Sequence, residues 1–167
     1  MEIYIIRHAI AVERDEWTGN DSVRPLTEKG RKKMEQIARG LAAMEIDFTH
    51  IFTSPLVRAQ QTAEILQKIL KIDHLEETDL LSLSADPAEM IPFLNKLPDS
   101  ADVALVGHEP HVSELLSYLL SGQKRIFTTF KKGGVAMLEG HAPLRAGNLT
   151  LCWLLEPNHL VAIGETQ

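Results

Sequence analysis

The feature that most limits how this chain can fold is a regular alternation of short apolar runs with longer amphipathic patterns. Residues 3–6 form a run of β-branched and aromatic side chains that is typical of a buried strand, and similar short runs cover residues 50–53 and 103–106. Helical patterns lie between these runs and after the last of them. Because strand and helix alternation is typical of α/β proteins, the sequence predicts a three-layer α/β/α fold with a mostly parallel central sheet.

The spacing of apolar residues predicts the helices. Thr27 is expected to cap the first helix, and Ser54 with Pro55 is expected to begin the second, serine at the N-cap and proline at the first helical position. Residues 86–89 (Asp-Pro-Ala-Glu) form a capping-box pattern before a third helix. Two further strand patterns, residues 134–138 and 148–155, complete the sheet. The expected inner faces of the helices are Met34, Ile37, Ala38 and Leu41, then Ala59, Ala63, Leu66 and Leu70, then Met90, Phe93, Leu94 and Leu97, and last Val112, Leu115, Leu116 and Leu119.

Length and composition narrow the class of protein. With 167 residues and 44% hydrophobic side chains, the chain is expected to form one domain over residues 1–167. A net charge of −6 argues against a general nucleic-acid binder. No apolar run approaches the ~20 residues of a membrane helix and no secretory leader is visible, so a cytoplasmic location away from membranes is expected. The single cysteine, Cys152, lies in an apolar run and is expected to be a buried thiol. The sequence specifies no oligomeric state, and a monomer is the default.

Charged and imidazole side chains stand where the predicted strands end. Arg7 and His8 follow the first strand, Arg58 lies one turn inside the helix after the second, and His108 follows the third. Taken singly, each could be an ordinary solvent-exposed residue. If the strands are parallel neighbours, however, their carboxyl ends meet at one crevice. Two guanidinium groups suit the oxygens of a phosphate, and a neutral His8 could attack phosphorus while His108 donates a hydrogen bond to the developing charge.

A metal site is the alternative for the same histidines. His108 and His111 have a three-residue spacing, and His8 could join them. Two arginines would repel a divalent cation, and no cluster of Asp or Cys ligands accompanies the histidines, so no metal and no other cofactor is predicted. His111 is then expected on a helix surface. Surface positions are also expected for the remaining histidines, His50, His74, His141 and His159.

Three motifs together resemble the histidine phosphatase superfamily, which has the phosphoglycerate-mutase-like fold. They are residues 6–9 (Ile-Arg-His-Ala), residues 54–63 (Ser-Pro-Leu-Val-Arg-Ala-Gln-Gln-Thr-Ala) and residues 106–110 (Val-Gly-His-Glu-Pro). Residues 21–27 (Asp-Ser-Val-Arg-Pro-Leu-Thr), residues 127–129 (Phe-Thr-Thr) and the small size resemble the compact bacterial phosphohistidine phosphatases within that superfamily. Residues 10–26 are long for a connection without structure, which is typical of a functional or mobile loop.

The resemblance implies a role for each motif residue. His8 would be transiently phosphorylated, Arg7 and Arg58 would hold the phosphoryl oxygens, and His108 would stabilise the same group. Arg24 matches an arginine near the mouth of the pocket. Ala9 stands where glycine is commonest in the family, which concerns only how closely the backbone packs there.

The leaving group bears on the substrate. Larger members of the superfamily carry an acid that protonates an alkoxide, often on an inserted segment that is short here. Glu76, Glu77 and Asp79 are the candidates for such an acid. Phosphohistidine leaves as an imidazole and needs less protonation. We therefore expect a metal-independent protein phosphohistidine phosphatase acting in signal transduction on a histidine phosphotransfer domain or a phosphocarrier. The alternatives are a phosphatase of small phosphorylated metabolites and, less favoured, a non-catalytic module that binds phosphate or phosphoproteins.

Overall fold

The computed structural model describes residues 1–166, and its central sheet is mostly parallel, as predicted. Its strands are β1 Glu2–Arg7, β2 His50–Thr53, β3 His74–Glu77, β4 Val103–Gly107, β5 Val135–Glu139 and β6 Thr150–Leu155. Their order across the sheet is β3-β2-β4-β1-β5-β6. The first four in that order are parallel, whereas β5 is antiparallel to β1 and β6 to β5.

Helices cover both faces of this sheet, so the expectation of three layers is confirmed. The α-helices of the described chain are α1 Glu28–Ala43, α2 Val57–Leu70, α3 Met90–Leu94, α4 His111–Ser121 and α5 Pro157–Glu165. Apolar residues of α1, α2 and α5 pack against Tyr4 and Ile6 of β1. Those of α3 and α4 pack on the other face, against Ile3 and Ile5. Successive side chains of β1 thus enter opposite layers, as a strand buried on both faces requires.

The register of the parallel strands positions the site. Ile6 of β1 and Thr53 of β2 both pair with Val106 of the intervening strand β4. The three strands therefore end at nearly the same level of the sheet, and the segments after them start side by side. The expectation that these strands are adjacent and parallel is confirmed.

The start of α2 differs from the prediction. The helix begins at Val57, and Leu56 occupies the N-cap without a side-chain hydrogen bond. The hydroxyl of Ser54 lies instead 2.8 Å from Nε2 of His108. The prediction that Ser54 caps the helix was wrong, because the helix begins only at Val57; the Ser54 hydroxyl accepts from the N–H of Leu56, before the helix, at 3.4 Å and also pairs with the distant His108.

Two burial predictions were also wrong. Cys152 is exposed, because it lies on β6, the edge strand whose first three residues are open to solvent. His111 is fully buried at the start of α4. Helix α4 is buried on part of its polar side as well as on its apolar face, since Ser113 and Ser117 are also buried. The imidazole of His111 therefore has no exposed surface.

Two elements were not predicted from the sequence. Strand β3 is short and mostly polar or charged, and it pairs only with β2 at the sheet edge. Helix α5 follows β6 and returns to pack against α1. Within residues 1–166, no helix combines the length and apolar character needed to cross a membrane.

Candidate active site

His8 is held in one tautomer at the end of β1. Its Nδ1 lies 2.7 Å from the carbonyl oxygen of Ala9, and the side chain is only 6% exposed. A carbonyl oxygen can only accept, so Nδ1 must carry the proton and donate. Nε2 then keeps its lone pair, which is the form that a nucleophilic imidazole needs.

Burial also keeps this imidazole neutral. The pKa of His8 falls from 6.5 to about 3, mainly through loss of solvation and also through the positive charges of Arg58 and Arg7, against the opposing hydrogen bond to Ala9. At neutral pH His8 is therefore an uncharged base, as the sequence reasoning required.

His108 faces His8 across the site. The centroids of the two rings are 5.0 Å apart, and Nε2 of His108 is paired with Ser54. Its Nδ1 is buried and has no hydrogen-bond partner among the described residues. Burial, and then the neighbouring His8 and Arg58, lower the pKa of His108 to about 3. When the Ser54 hydroxyl donates to Nε2, neutral His108 carries its proton on Nδ1 and has one hydrogen bond to donate, as its predicted role needs.

Each of the two arginines has some guanidinium N–H groups in hydrogen bonds and others without a partner in the described chain. Nη1 of Arg7 donates to the carbonyl oxygen of Phe130 at 2.6 Å. Arg58, the second residue of α2 and 3% exposed, donates from Nη1 and Nη2 to the carbonyl and carboxylate oxygens of Asp21 at 3.0 and 3.1 Å. The Nε–H groups of both arginines are buried and unpaired within the described chain. Each guanidinium thus has donors left for an anion.

The segment 10–26 reaches this site through Asp21 and Arg24. Nε of Arg24 lies 2.9 Å from Oδ1 of Asp21, and its Nη1 donates to the carbonyl of Val12 at 2.5 Å. Partial burial acts to raise the pKa of Asp21, but hydrogen bonds and charge from Arg24 and Arg58 outweigh it and lower that pKa. Asp21 is therefore an ionised link between the loop and α2, and Arg24 lines the same cavity as Arg58.

Thr62 is a site residue that sequence reasoning did not single out. Its hydroxyl donates to the carbonyl of Arg58 at 2.7 Å and accepts from the backbone N–H of Ala9 at 3.0 Å. It therefore joins α2 to the residue whose carbonyl orients His8. The only signal in the sequence was its place in the motif of residues 54–63.

These side chains surround one open cavity of about 240 Å³. Five cationic residues and three carboxylates line it, together with both histidines and one leucine. The lining residues are Arg7, His8, Glu13, Arg14, Asp21, Arg24, Arg58, Leu83, His108, Glu109 and Lys132. The structure brings together Arg7, His8, Arg58, His108 and Arg24, the five site residues predicted from the sequence.

The predicted acids do not belong to this cavity. Glu76 and Glu77 lie on β3 and Asp79 just after it, and none of the three lines the wall. Strands β2 and β4 separate β3 from β1, and Glu77 accepts a hydrogen bond from Gln60 instead. The carboxylates at the cavity are Glu13, Asp21 and Glu109, which the sequence analysis gave no role.

The histidines do not assemble with a third metal ligand. Within residues 1–166 no three His, Cys, Asp or Glu side chains are grouped so that they could hold a metal ion. His111 is buried, and burial lowers its pKa against the opposing charge of Asp86. The His8 and His108 pair is accompanied by guanidinium groups, a set of neighbours suited to an anion.

Comparison with known proteins agrees with this geometry. Residues 3–93 match the family model described as the histidine phosphatase superfamily, branch 1. The chain belongs to the histidine phosphatase superfamily.

Known proteins resemble the chain over most of its length. An uncharacterised protein of Picosynechococcus sp. is 34% identical over 145 residues, which cover 85% of this chain and 87% of that protein. The phosphohistidine phosphatase SixA of Escherichia coli strain K12 is 29% identical over 164 residues, 96% of each chain. The solved structure of the protein histidine phosphatase SixA complexed with tungstate has a TM-score of 0.85 at 27% identity, covering 96% of this chain and 99% of that one. The predicted family and fold are confirmed.

Proposed function

We propose that this protein is a phosphatase that removes the phosphoryl group from phosphohistidine on a protein, through a phosphorylated His8. The observation that carries this proposal is the free Nε2 of a buried, neutral His8, set by its bond to Ala9 and surrounded by Arg7, Arg58 and His108. The similarity to a phosphohistidine phosphatase over 96% of both chains supports the same substrate class.

The first step transfers the phosphoryl group to the enzyme. Nε2 of His8 forms a bond to phosphorus, and the bond from phosphorus to the substrate imidazole breaks, leaving its electron pair on the substrate nitrogen. Arg7 and Arg58 line the cavity, and each guanidinium has N–H donors beyond those paired with Phe130 and Asp21 that can bind the phosphoryl oxygens. Neutral His108 donates a further hydrogen bond to charge that develops on transfer.

The second step returns His8 to its starting form. A water oxygen bonds to phosphorus, the bond to Nε2 of His8 breaks with its electron pair returning to the imidazole, and inorganic phosphate carries away the oxygen. The proton lost by water passes to phosphate or solvent. Because Nδ1 of His8 keeps its proton, which it donates to the Ala9 carbonyl oxygen, the regenerated imidazole is again the correct tautomer.

The state of the cavity carboxylates favours phosphohistidine over phosphate esters. Asp21 is paired with two arginines, and Glu13 lies 3.1 Å from the ammonium of Lys132. Arg24 and Arg58 lower the pKa of Asp21, so this carboxylate stays ionised and is a poor proton donor to an alkoxide. An imidazole leaving group needs less protonation, so this cavity suits phosphohistidine on a histidine phosphotransfer domain or a phosphocarrier.

The test is phosphate release from matched substrates in the presence of a chelator. A histidine-phosphorylated phosphotransfer domain is compared with a panel of small phosphate monoesters, and His8→Ala is compared with His141→Ala, which removes an exposed histidine outside the cavity. We expect rapid release from the phosphoprotein, slow release from monoesters, and loss of turnover by a factor of about 10⁴ or more in His8→Ala alone.

Other outcomes would contradict specific parts of the proposal. Near-normal turnover by His8→Ala would exclude the phosphohistidine intermediate. A preference for monoesters would identify a metabolite phosphatase, and loss of activity in chelator would show that a metal is needed. A stable complex with the phosphoprotein and no phosphate release would identify a binding module.

A further inference from the structure

We propose that Glu109 is a positioning residue for Arg7, acting through the backbone of Phe130. The inference rests on the proposed function, because it assigns Arg7 to the phosphoryl group. Glu109 belongs to the motif of residues 106–110, but neither the motif nor the proposed mechanism gives it a task.

Three hydrogen bonds form the connection. Oε1 of Glu109 accepts from the backbone N–H of Phe130 at 2.6 Å and from the hydroxyl of Ser113 at 2.7 Å. The carbonyl oxygen of the same Phe130 accepts from Nη1 of Arg7 at 2.6 Å. One residue of the backbone is thus fixed by Glu109 on its N–H side and orients Arg7 on its carbonyl side.

The segment that contains Phe130 depends on such an anchor. Residues 123–134 form neither helix nor strand, and their backbone hydrogen bonds within the described chain lie at the end of the segment, where Gly133 and Gly134 pair with Arg7 and His8, and not at Phe130. The ring of Phe130 is 2% exposed in the apolar cluster around α4, which fixes the side chain but not the direction of the carbonyl. Glu109 is itself fixed from α4, since Ser113 is completely buried. The carbonyl that orients Arg7 is therefore set by an anchored carboxylate.

The negative charge of Glu109 also stabilises the charged form of Arg7. Partial burial lowers the pKa of Arg7, and the negative charge of Glu109 opposes that effect. Both residues line the cavity. Glu109 thus stabilises both the position of the Arg7 guanidinium and its positive charge. The hydrogen bond to Phe130 accounts for the effect on position.

The role of a hydrogen-bond acceptor can be separated from that of an acid. Oε1 accepts two hydrogen bonds, from the Phe130 N–H and the Ser113 hydroxyl, so the structure gives Glu109 the role of an acceptor. A glutamine keeps an acceptor oxygen at the same distance from the backbone but cannot exchange a proton. A methionine keeps the length and offers only a weak acceptor. Positioning therefore predicts that glutamine works and methionine does not.

The experiment compares Glu109→Gln, Glu109→Met and Glu109→Ala with Glu114→Ala, a control that removes the same charge from the first turn of α4 without a side-chain hydrogen bond to lose. The readouts are the dissociation constant for inorganic phosphate by calorimetry, and KM and kcat for the phosphoprotein. Thermal unfolding shows which variants are folded at the assay temperature.

We expect Glu109→Met and Glu109→Ala to lose about a hundredfold in kcat/KM, as a displaced guanidinium implies, and to bind phosphate more weakly. Glu109→Gln should stay within about tenfold of the wild type, because it loses only the charge. Glu114→Ala should match the wild type.

Two results would overturn the inference. Either wild-type phosphate binding by a folded methionine or alanine variant, or a loss in Glu109→Gln as large as in those variants, would remove positioning as the role. If neither the methionine nor the alanine variant folds, a hundredfold loss of kcat/KM in Glu109→Gln is by itself enough to contradict the positioning role. Phosphate binding is measured without turnover, so this outcome is independent of the outcome of His8→Ala.

Discussion

At His8, burial and a single hydrogen bond together produce the reactive form of the imidazole. The bond from Nδ1 to the Ala9 carbonyl selects the tautomer, and loss of solvation selects the neutral state. His108 is neutral for the same reason, with Nε2 paired to Ser54. Burial of both rings lowers the stability of the folded protein at acidic pH, because the histidines of the unfolded chain bind protons there and the buried ones do not.

Because of this effect, we expect the protein to become less stable as the pH falls. The pKa of each histidine is about 3 in the folded protein and near 6.5 in the unfolded chain, so the unfolded chain binds more protons below pH 6.5. Stability is complete above that pH and decreases as the pH falls toward 3. Between pH 7 and pH 5 the free energy of unfolding should drop by about 2 kcal/mol for each of the two buried histidines.

Urea denaturation at both pH values measures this drop. The double variant His8→Asn with His108→Asn should lose about 4 kcal/mol less than the wild type over the same interval. Parallel pH profiles for the two proteins would show that the histidines do not titrate as described.

Among the secondary-structure elements, α1 and α5 make an unusually close contact at Gly40. A Cβ atom built on Gly40 would lie 1.9 Å from the carbonyl oxygen of Leu160, far inside any permitted contact. The obstacle is backbone, which cannot rotate away as a flexible side chain could. Glycine at this position therefore lets α5 pack directly on α1, although it lowers the helix propensity of α1.

Gly40→Ala should consequently destabilise the protein despite alanine's better helix propensity. We expect the free energy of unfolding to fall by about 1–3 kcal/mol, the usual effect of overpacking, with kcat/KM unchanged at low temperature because neither helix lines the cavity. Urea denaturation measures the effect, and Gln36→Ala on the exposed face of α1 is the control. Equal or higher stability of Gly40→Ala would mean that α5 does not pack so closely.

Across the whole molecule, the charge of the cavity is opposite to the charge of the chain. The net charge is −6, yet the cavity has five cationic side chains against three carboxylates. An anionic phosphoryl group is repelled by the whole protein at long range and attracted near the cavity. The positive charges that line the cavity dominate the potential inside it, because a cleft concentrates the field of its own charges.

We therefore expect salt to reduce kcat/KM for a phosphoprotein. The rate constant should fall several-fold as ionic strength rises from about 0.01 M to about 0.15 M, over which the screening length shrinks from about 30 Å to about 8 Å. Lys132→Gln should weaken this dependence, whereas Lys68→Gln, on the exposed side of α2, should not. An increase of kcat/KM with salt would show that the net charge of −6 dominates.

The sequence by itself determined the parts that depend on local pattern. Apolar runs defined β1, β2 and β4, and helical spacing defined α1, α2 and α4, because burial of a strand or a helix face is recorded in consecutive residues. Once those strands are parallel neighbours, the residues that follow them must converge. Arg7, His8, Arg58 and His108 could therefore be selected before any coordinates were known.

Tertiary structure alone decided which partners these residues have. Arg58 meets Asp21 from 37 residues away, and Arg7 meets Phe130 from 123 residues away. Such contacts depend on how loops close, which no local period records. The same applies to the burial of His111, the exposure of Cys152 on an edge strand, and the pairing of Ser54 with His108. Local pattern thus selected the residues to which we assign the chemistry, while long-range packing determined their burial and most of their hydrogen-bond partners.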